Sequence, residues 1–134
     1  MTIPPIKAPM IDPSTQEFWD AARQGVLRLK HCSNCGANHY YPRPFCPVCW
    51  STDVAWFDAA GTGTLYTYSI IHANDLPGFR DRVPYVVAIV DLDEGPRMET
   101  NLVQCPFDQI HVGMRVTVVF EDEGDIVLPR FRPA

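Results

Sequence analysis

The sequence predicts a mainly β chain built from a short N-terminal helix, a small metal-held ribbon and a five-stranded barrel. Three observations lead there. Four of the five cysteines fall as Cys32-x2-Cys35 and Cys46-x2-Cys49. Five short runs rich in aromatic and β-branched residues crowd residues 64–131, and 13 prolines in 134 residues argue for short elements over long helices. With 46% hydrophobic residues, 20% charged and a net charge of -5, the chain does not have the composition of one that stays disordered.

The N-terminal piece is residues 1–25. Prolines at 4, 5, 9 and 13 keep residues 1–13 from forming a helix, so an extended arm lying over a surface is expected. Ser14-Thr15-Gln16-Glu17 has the pattern of a capping box, with Ser14 at the N-cap and Glu17 reaching back to it. A helix of about three turns should follow, apolar through Phe18, Trp19, Ala21 and Ala22 and stopped at Gly25. So short a helix must dock on something. The dock could be internal or on a partner subunit; because two adjacent large rings cannot easily share one narrow stripe, Phe18 and Trp19 are expected on a partner.

Residues 26–56 carry the cysteines. Without a visible secretory signal, paired Cys-x2-Cys units read as a metal site in preference to disulfides. Two such knuckles supply the four thiolates of a tetrahedral zinc, and Gly36 and Pro47 suit the tight turns involved. Four cysteines close the coordination sphere, so the expected zinc at Cys32, Cys35, Cys46 and Cys49 is structural. Iron in the same four-sulfur site is the alternative, as is dithiol chemistry. His31 and His39 are expected to be neighbours of the cluster rather than ligands. Residues 26–31 alternate as a strand and residues 38–41 can return beside it. The ion then supplies much of the folding free energy of a unit this small.

Residues 57–134 are expected to form the barrel. Candidate strands cover 64–72, 85–91, 98–103, 115–120 and 126–131, and turns such as Asp93-Glu94-Gly95-Pro96 indicate antiparallel hairpins. A small closed barrel of the OB type fits them better than an open sheet with edges to protect. Ribbon plus OB barrel would ordinarily bring nucleic acid to mind, but residues 57–134 hold 6 Lys+Arg against 12 Asp+Glu, which repels phosphate. Phe79, Arg80, Arg82 and Tyr85 alone combine stacking and cationic character, in the loop between the first two long strands and at the start of the second. Cys105 reads as a small buried hydrophobe, His72 as a half-buried structural histidine, Tyr66 and Tyr68 as barrel wall, and the acidic run at 121–125 as a solvated turn. The longest strongly apolar run, 85–90, is far short of the roughly 20 residues of a membrane-spanning helix. The opening Met1-Thr2-Ile3-Pro4-Pro5 resembles no leader, so a cytoplasmic protein is expected.

The order of helix, Cys32-to-Cys49 ribbon, Gly61-Thr62-Gly63-Thr64-Leu65-Tyr66-Thr67-Tyr68 and the segment Pro84 to Pro96, continued by Val112-Gly113-Met114-Arg115-Val116 and Phe131-Arg132-Pro133, resembles a specific family. It is the acyl-CoA-associated family of small proteins named as a domain of unknown function, each a rubredoxin-like zinc ribbon followed by an OB fold. The resemblance implies a non-catalytic accessory subunit in a hetero-oligomer. It would support a thiolase-superfamily partner (a thiolase, an acyl-CoA synthase or a thiolase-like aldolase) and help enclose the CoA part of an acyl-CoA substrate. The loop bearing Phe79, Arg80 and Arg82, with Tyr85 just beyond it, is the candidate for CoA or partner contact, since CoA needs a few cations for phosphate and apolar walls for its arm. A nucleic-acid-binding module and a four-cysteine iron redox protein are the competing readings.

Overall fold

A computed structural model describes residues 5–134. Of the expected arm, residues 1–4 lie outside the described residues; from Pro5 to Asp12 the chain has no regular structure. It runs over the loop before the second barrel strand, where a Cβ placed on Gly78 would come within 2.7 Å of the Pro5 carbonyl oxygen and 2.8 Å of the Ile6 nitrogen.

The helix, α1, spans Gln16–Arg23. Its start differs from the expected capping box. Thr15, not Ser14, is the N-cap, and no side-chain cap hydrogen bond is made. Asp12 organises the entry instead: its carboxylate accepts from the Ser14 hydroxyl (2.6 Å), the Ser14 N–H (2.9 Å) and the Thr15 N–H (3.1 Å). Those bonds, the Ser14 hydroxyl first, hold Asp12 below the usual carboxylate range. Glu17 leans toward Arg28 Nη1 at 3.5 Å. An Asx turn upstream has replaced the reciprocal box, because Asp12 reaches the same turn with a stronger acceptor. The helix stops as expected. Gly25 takes φ +78, its N–H bonds to Ala22 O (3.0 Å), and the Val26 N–H reaches Ala21 O (3.0 Å), closing a Schellman motif.

The expected docking of Phe18 and Trp19 on a partner is corrected. Phe18 is 1% exposed and Trp19 7%, both inside this chain. The slot that receives them has two walls, since α1 packs against both the first ribbon strand, β1 (Arg28–Cys32), and the last barrel strand, β8 (Val127–Pro133). Phe18 meets Trp19 edge-on at 4.9 Å and Tyr41 at 5.5 Å, and the Trp19 indole N–H donates to Tyr41 Oη at 2.8 Å. Two adjacent rings can both be buried where the helix is wedged between two units rather than laid on one.

The ribbon is an antiparallel sheet ordered β2-β1-β3, from β1 (Arg28–Cys32), β2 (Asn38–His39) and β3 (Val54–Asp58). The sequence reading missed β3. Trp56 and Phe57 are both half-buried, so no clean alternation marks it, and only pairing with β1 from Arg28↔Asp58 to Cys32↔Val54 defines it.

The barrel is β4 (Thr62–Ile71), β5 (Tyr85–Leu92), β6 (Arg97–Leu102), β7 (Arg115–Asp122) and β8 (Val127–Pro133). It closes in the order β4-β5-β6-β8-β7, with β6 and β8 parallel. That connectivity, five strands with the third and fifth side by side, is an OB fold. Alternation is strict in β5, which sends Val86, Ala88, Val90 and Leu92 into the core beside Leu65, Met98, Val116 and Phe131. Tyr66 and Tyr68 do not form one wall. A register shift between Leu65 and Thr67 leaves Tyr66 exposed under the Arg97 guanidinium (3.7 Å to the ring centroid), while Tyr68 packs against the core. His72 is exposed rather than half-buried. No described helix is long and apolar enough to cross a membrane.

Candidate metal centre and cleft

The sulfur atoms of Cys32, Cys35, Cys46 and Cys49 lie within 4.8 Å of one another. Cys32 and Cys49 are 3.6 Å apart at sulfur, as are Cys35 and Cys46, too far for a disulfide bond of about 2.05 Å. A tetrahedral ion with Zn–S of about 2.3 Å holds its sulfurs about 3.8 Å apart, so the donor set fits. The knuckles are near copies of each other. Gly36 N–H bonds to Cys32 O (2.8 Å) as Trp50 N–H bonds to Cys46 O (2.9 Å), and Cys32 N–H bonds to Ala37 O as Cys46 N–H does to Ser51 O, both at 2.8 Å. The Asn34 side-chain amide donates to Cys49 Sγ at 3.4 Å and, with the Ser51 backbone, lowers that thiol to about 6. Backbone N–H groups of Cys49 and Val48 lower Cys46. The Ala37 backbone N–H works in the same direction on Cys35, but burial and its three sulfur neighbours push it up to about 12. The histidines stand apart from the cluster: His31 Nδ1 contacts Asn38 Oδ1 at 2.7 Å, and His39 is buried opposite Lys30 in the sheet.

On the barrel, the loop joining β4 to β5 overhangs a cleft of about 300 Å³. Phe79, Tyr85, Val86, Leu102 and Phe107 give apolar walls, and Arg82, Asn101, Cys105 and Arg130 bring polar atoms. Three of the four residues singled out in the sequence, Phe79, Arg82 and Tyr85, thus come together. Arg80 does not; it is 69% exposed, outside the cleft, 3.8 Å from Asp75. Phe79 and Tyr85 rings lie 5.7 Å apart, and Asn74 Nδ2 donates to Tyr85 Oη at 2.9 Å. Arg82 does not pair within its loop. Its Nη1 donates to Glu123 Oε1 (2.8 Å), which also accepts from Arg130 Nη1 (2.6 Å), and Arg130 bonds Glu121 at 2.8 Å as well. Arg82 foremost, then Arg130, hold the Glu123 carboxyl below its ordinary value against burial. The acidic turn is therefore a ligand for two arginines, not only a solvated hairpin.

Sequence reasoning missed Asn101, Phe107 and Arg130, which lie far along the chain and meet the loop only when the barrel closes. Asn101 lies where β6 passes beneath the loop, with Nδ2 donating to Val86 O at 2.9 Å. Cys105 is half-buried at the cleft, not fully buried; burial raises its thiol, and Sγ contacts Pro106 O at 3.5 Å.

A four-cysteine ribbon followed by a closed five-stranded barrel defines a zinc-ribbon/OB-fold protein. Residues 19–55 match the model of the rubredoxin-like zinc ribbon domain of ChsH2, and residues 56–121 match that of the ChsH2 C-terminal OB-fold domain. A DUF35 domain-containing scaffold protein of Methanocaldococcus jannaschii is 36% identical over 98 residues, covering 70% of this chain and 69% of that protein. The chain belongs to this ChsH2/DUF35 family. A chain of the solved Ltp2-ChsH2(DUF35) aldolase superposes with TM-score 0.83 at 38% identity, covering 94% of this chain and 98% of that one. A probable enoyl-CoA hydratase alpha subunit of Thermomonospora curvata is 43% identical over 119 residues, 87% of this chain. The chain spans only 37% of that relative's length.

Proposed function

We propose that this chain is a non-catalytic subunit that binds and supports a thiolase-superfamily partner, and that its cleft helps enclose the CoA part of an acyl-CoA substrate. The observation that carries the reading is the near full-length likeness, at 38% identity, to a chain of a two-component aldolase. Cys32, Cys35, Cys46 and Cys49 hold a structural zinc, which fixes the ribbon and offers no open position for substrate. Zinc is favoured over iron by the zinc-ribbon model matched at residues 19–55.

The cleft's chemistry narrows its share of the substrate. Arg82 and Arg130 face Glu121 and Glu123, two cations against two carboxylates, so little positive charge remains for polyphosphate. Apolar walls with a few hydrogen-bonding groups suit the neutral, amide-bearing pantetheine arm of CoA. Cys105, its thiol raised by burial and held toward Pro106 O, is a wall residue rather than a nucleophile.

A second reading, in which the partner is a hydratase subunit, is favoured by the 43% identity to the T. curvata hydratase alpha subunit. Co-expression with a thiolase-like subunit and with a hydratase-type subunit separates the two. The proposal expects stable co-elution with the thiolase-like subunit; co-elution with the hydratase subunit alone transfers the chain to the second reading.

A further inference from the structure

The two knuckles share their hydrogen bonds but not the residue after the second cysteine. The first has Gly36 there at φ +80; the second has Trp50 at φ +68. Both are left-handed, a region glycine enters freely and a bulky L-residue enters only at a cost. Trp50 does not recover that cost by burial, since its side chain is 73% exposed. It stacks on Phe45 with centroids 5.2 Å apart and planes 9° from parallel, and Val48, 68% exposed, extends the apolar surface.

Backbone strain retained where a small residue would fit points to a task for the side chain outside this chain's own fold. We infer that the Phe45–Val48–Trp50 surface of the second knuckle is the anchor by which this subunit docks into an apolar, cation-rimmed pocket of the thiolase-superfamily subunit; this rests on the function proposed above. The knuckle is rigid, held by the four-sulfur cluster, so presenting a flat aromatic pair there costs little ordering on association. Exposed Trp on such a scaffold is the residue type most enriched among interface hot spots. Charge selects the occupant. Cys49 immediately precedes Trp50, and four thiolates around a divalent ion would leave a net -2 beside the rings, more than the +1 to which the charged side chains of residues 1–56 sum. That disfavours a phosphate-bearing strand and favours Arg or Lys at the rim of a protein pocket, where cations also pack on the indole face.

Trp50→Gly and Trp50→Asn both restore residues suited to the left-handed turn. In the zinc-loaded full chain, the expected result is unchanged zinc stoichiometry and an unchanged or higher Tm. Affinity for the co-expressed thiolase-type subunit, measured by titration, should nonetheless fall at least about tenfold, as for loss of a hot-spot Trp. Both variants binding like the parent overturns the inference while leaving the proposed function standing. A lost zinc or a clear drop in Tm also overturns it, by making Trp50 a fold residue. Trp50-dependent binding of a single-stranded oligonucleotide overturns it in favour of nucleic acid. If the parent chain forms no complex with that subunit, the proposed function falls and this occupant with it.

Discussion

At the residue scale, Cys-x2-Cys spacing encodes a knuckle locally and needs no distant partner, so each cysteine can be tested singly as a metal donor. Cys32→Ser or Cys46→Ser removes one of four donors, and since an ion supplies folding energy to so small a sheet, metal:protein ratio and ribbon structure should be lost together. A variant that keeps full metal content and native circular dichroism contradicts the structural assignment. Glu123 was not legible at all. Its side chain is 9% exposed between Arg82 and Arg130, residues 41 and 7 positions away. In the folded chain its carboxyl is held below the ordinary value, so in the window beneath that value the unfolded state binds the extra proton. The Glu123 contribution is therefore complete at neutral pH and disappears as pH falls through the folded value. Glu123→Gln should lower stability at pH 7 and flatten the acid limb of a denaturation profile below about pH 4.5, the usual glutamate range. An unaltered acid limb removes Glu123 from the network.

At the element scale, periodicity located all five barrel strands to within two residues at their starts, since half-buried strands write their alternation into the sequence. It failed where contact, not pattern, makes the element. Strand β3 exists through its pairing with β1, and the bulge after Leu65 shifts which face the later β4 side chains occupy. The helix shows the same limit. Its apolar residues named what is buried but not against what, and the two-walled slot between β1 and β8 replaced the expected partner. Phe18 is the centre of that contact, so Phe18→Ala should cost about 3–5 kcal/mol in urea denaturation, typical of a fully buried Phe. A loss under about 1 kcal/mol, the range of surface changes, contradicts the wedge.

At the scale of the whole molecule, composition could not show the cleft, which assembles from the loop, β5, β6, β8 and the segment around Cys105. The split between two arginines of one loop tests it. In the complex, Arg82→Gln should raise KM for the CoA ester, whereas Arg80→Ala, outside the cleft and 69% exposed, should leave it unchanged. Equal effects from both place the substrate elsewhere. The accessory role itself is tested most directly by titrating the zinc-loaded chain into the purified thiolase-superfamily subunit while following turnover of its CoA ester. The expected rate rises with added chain and saturates at a fixed subunit ratio, with no turnover by the chain alone. A rate independent of the chain, or activity in the chain by itself, contradicts it.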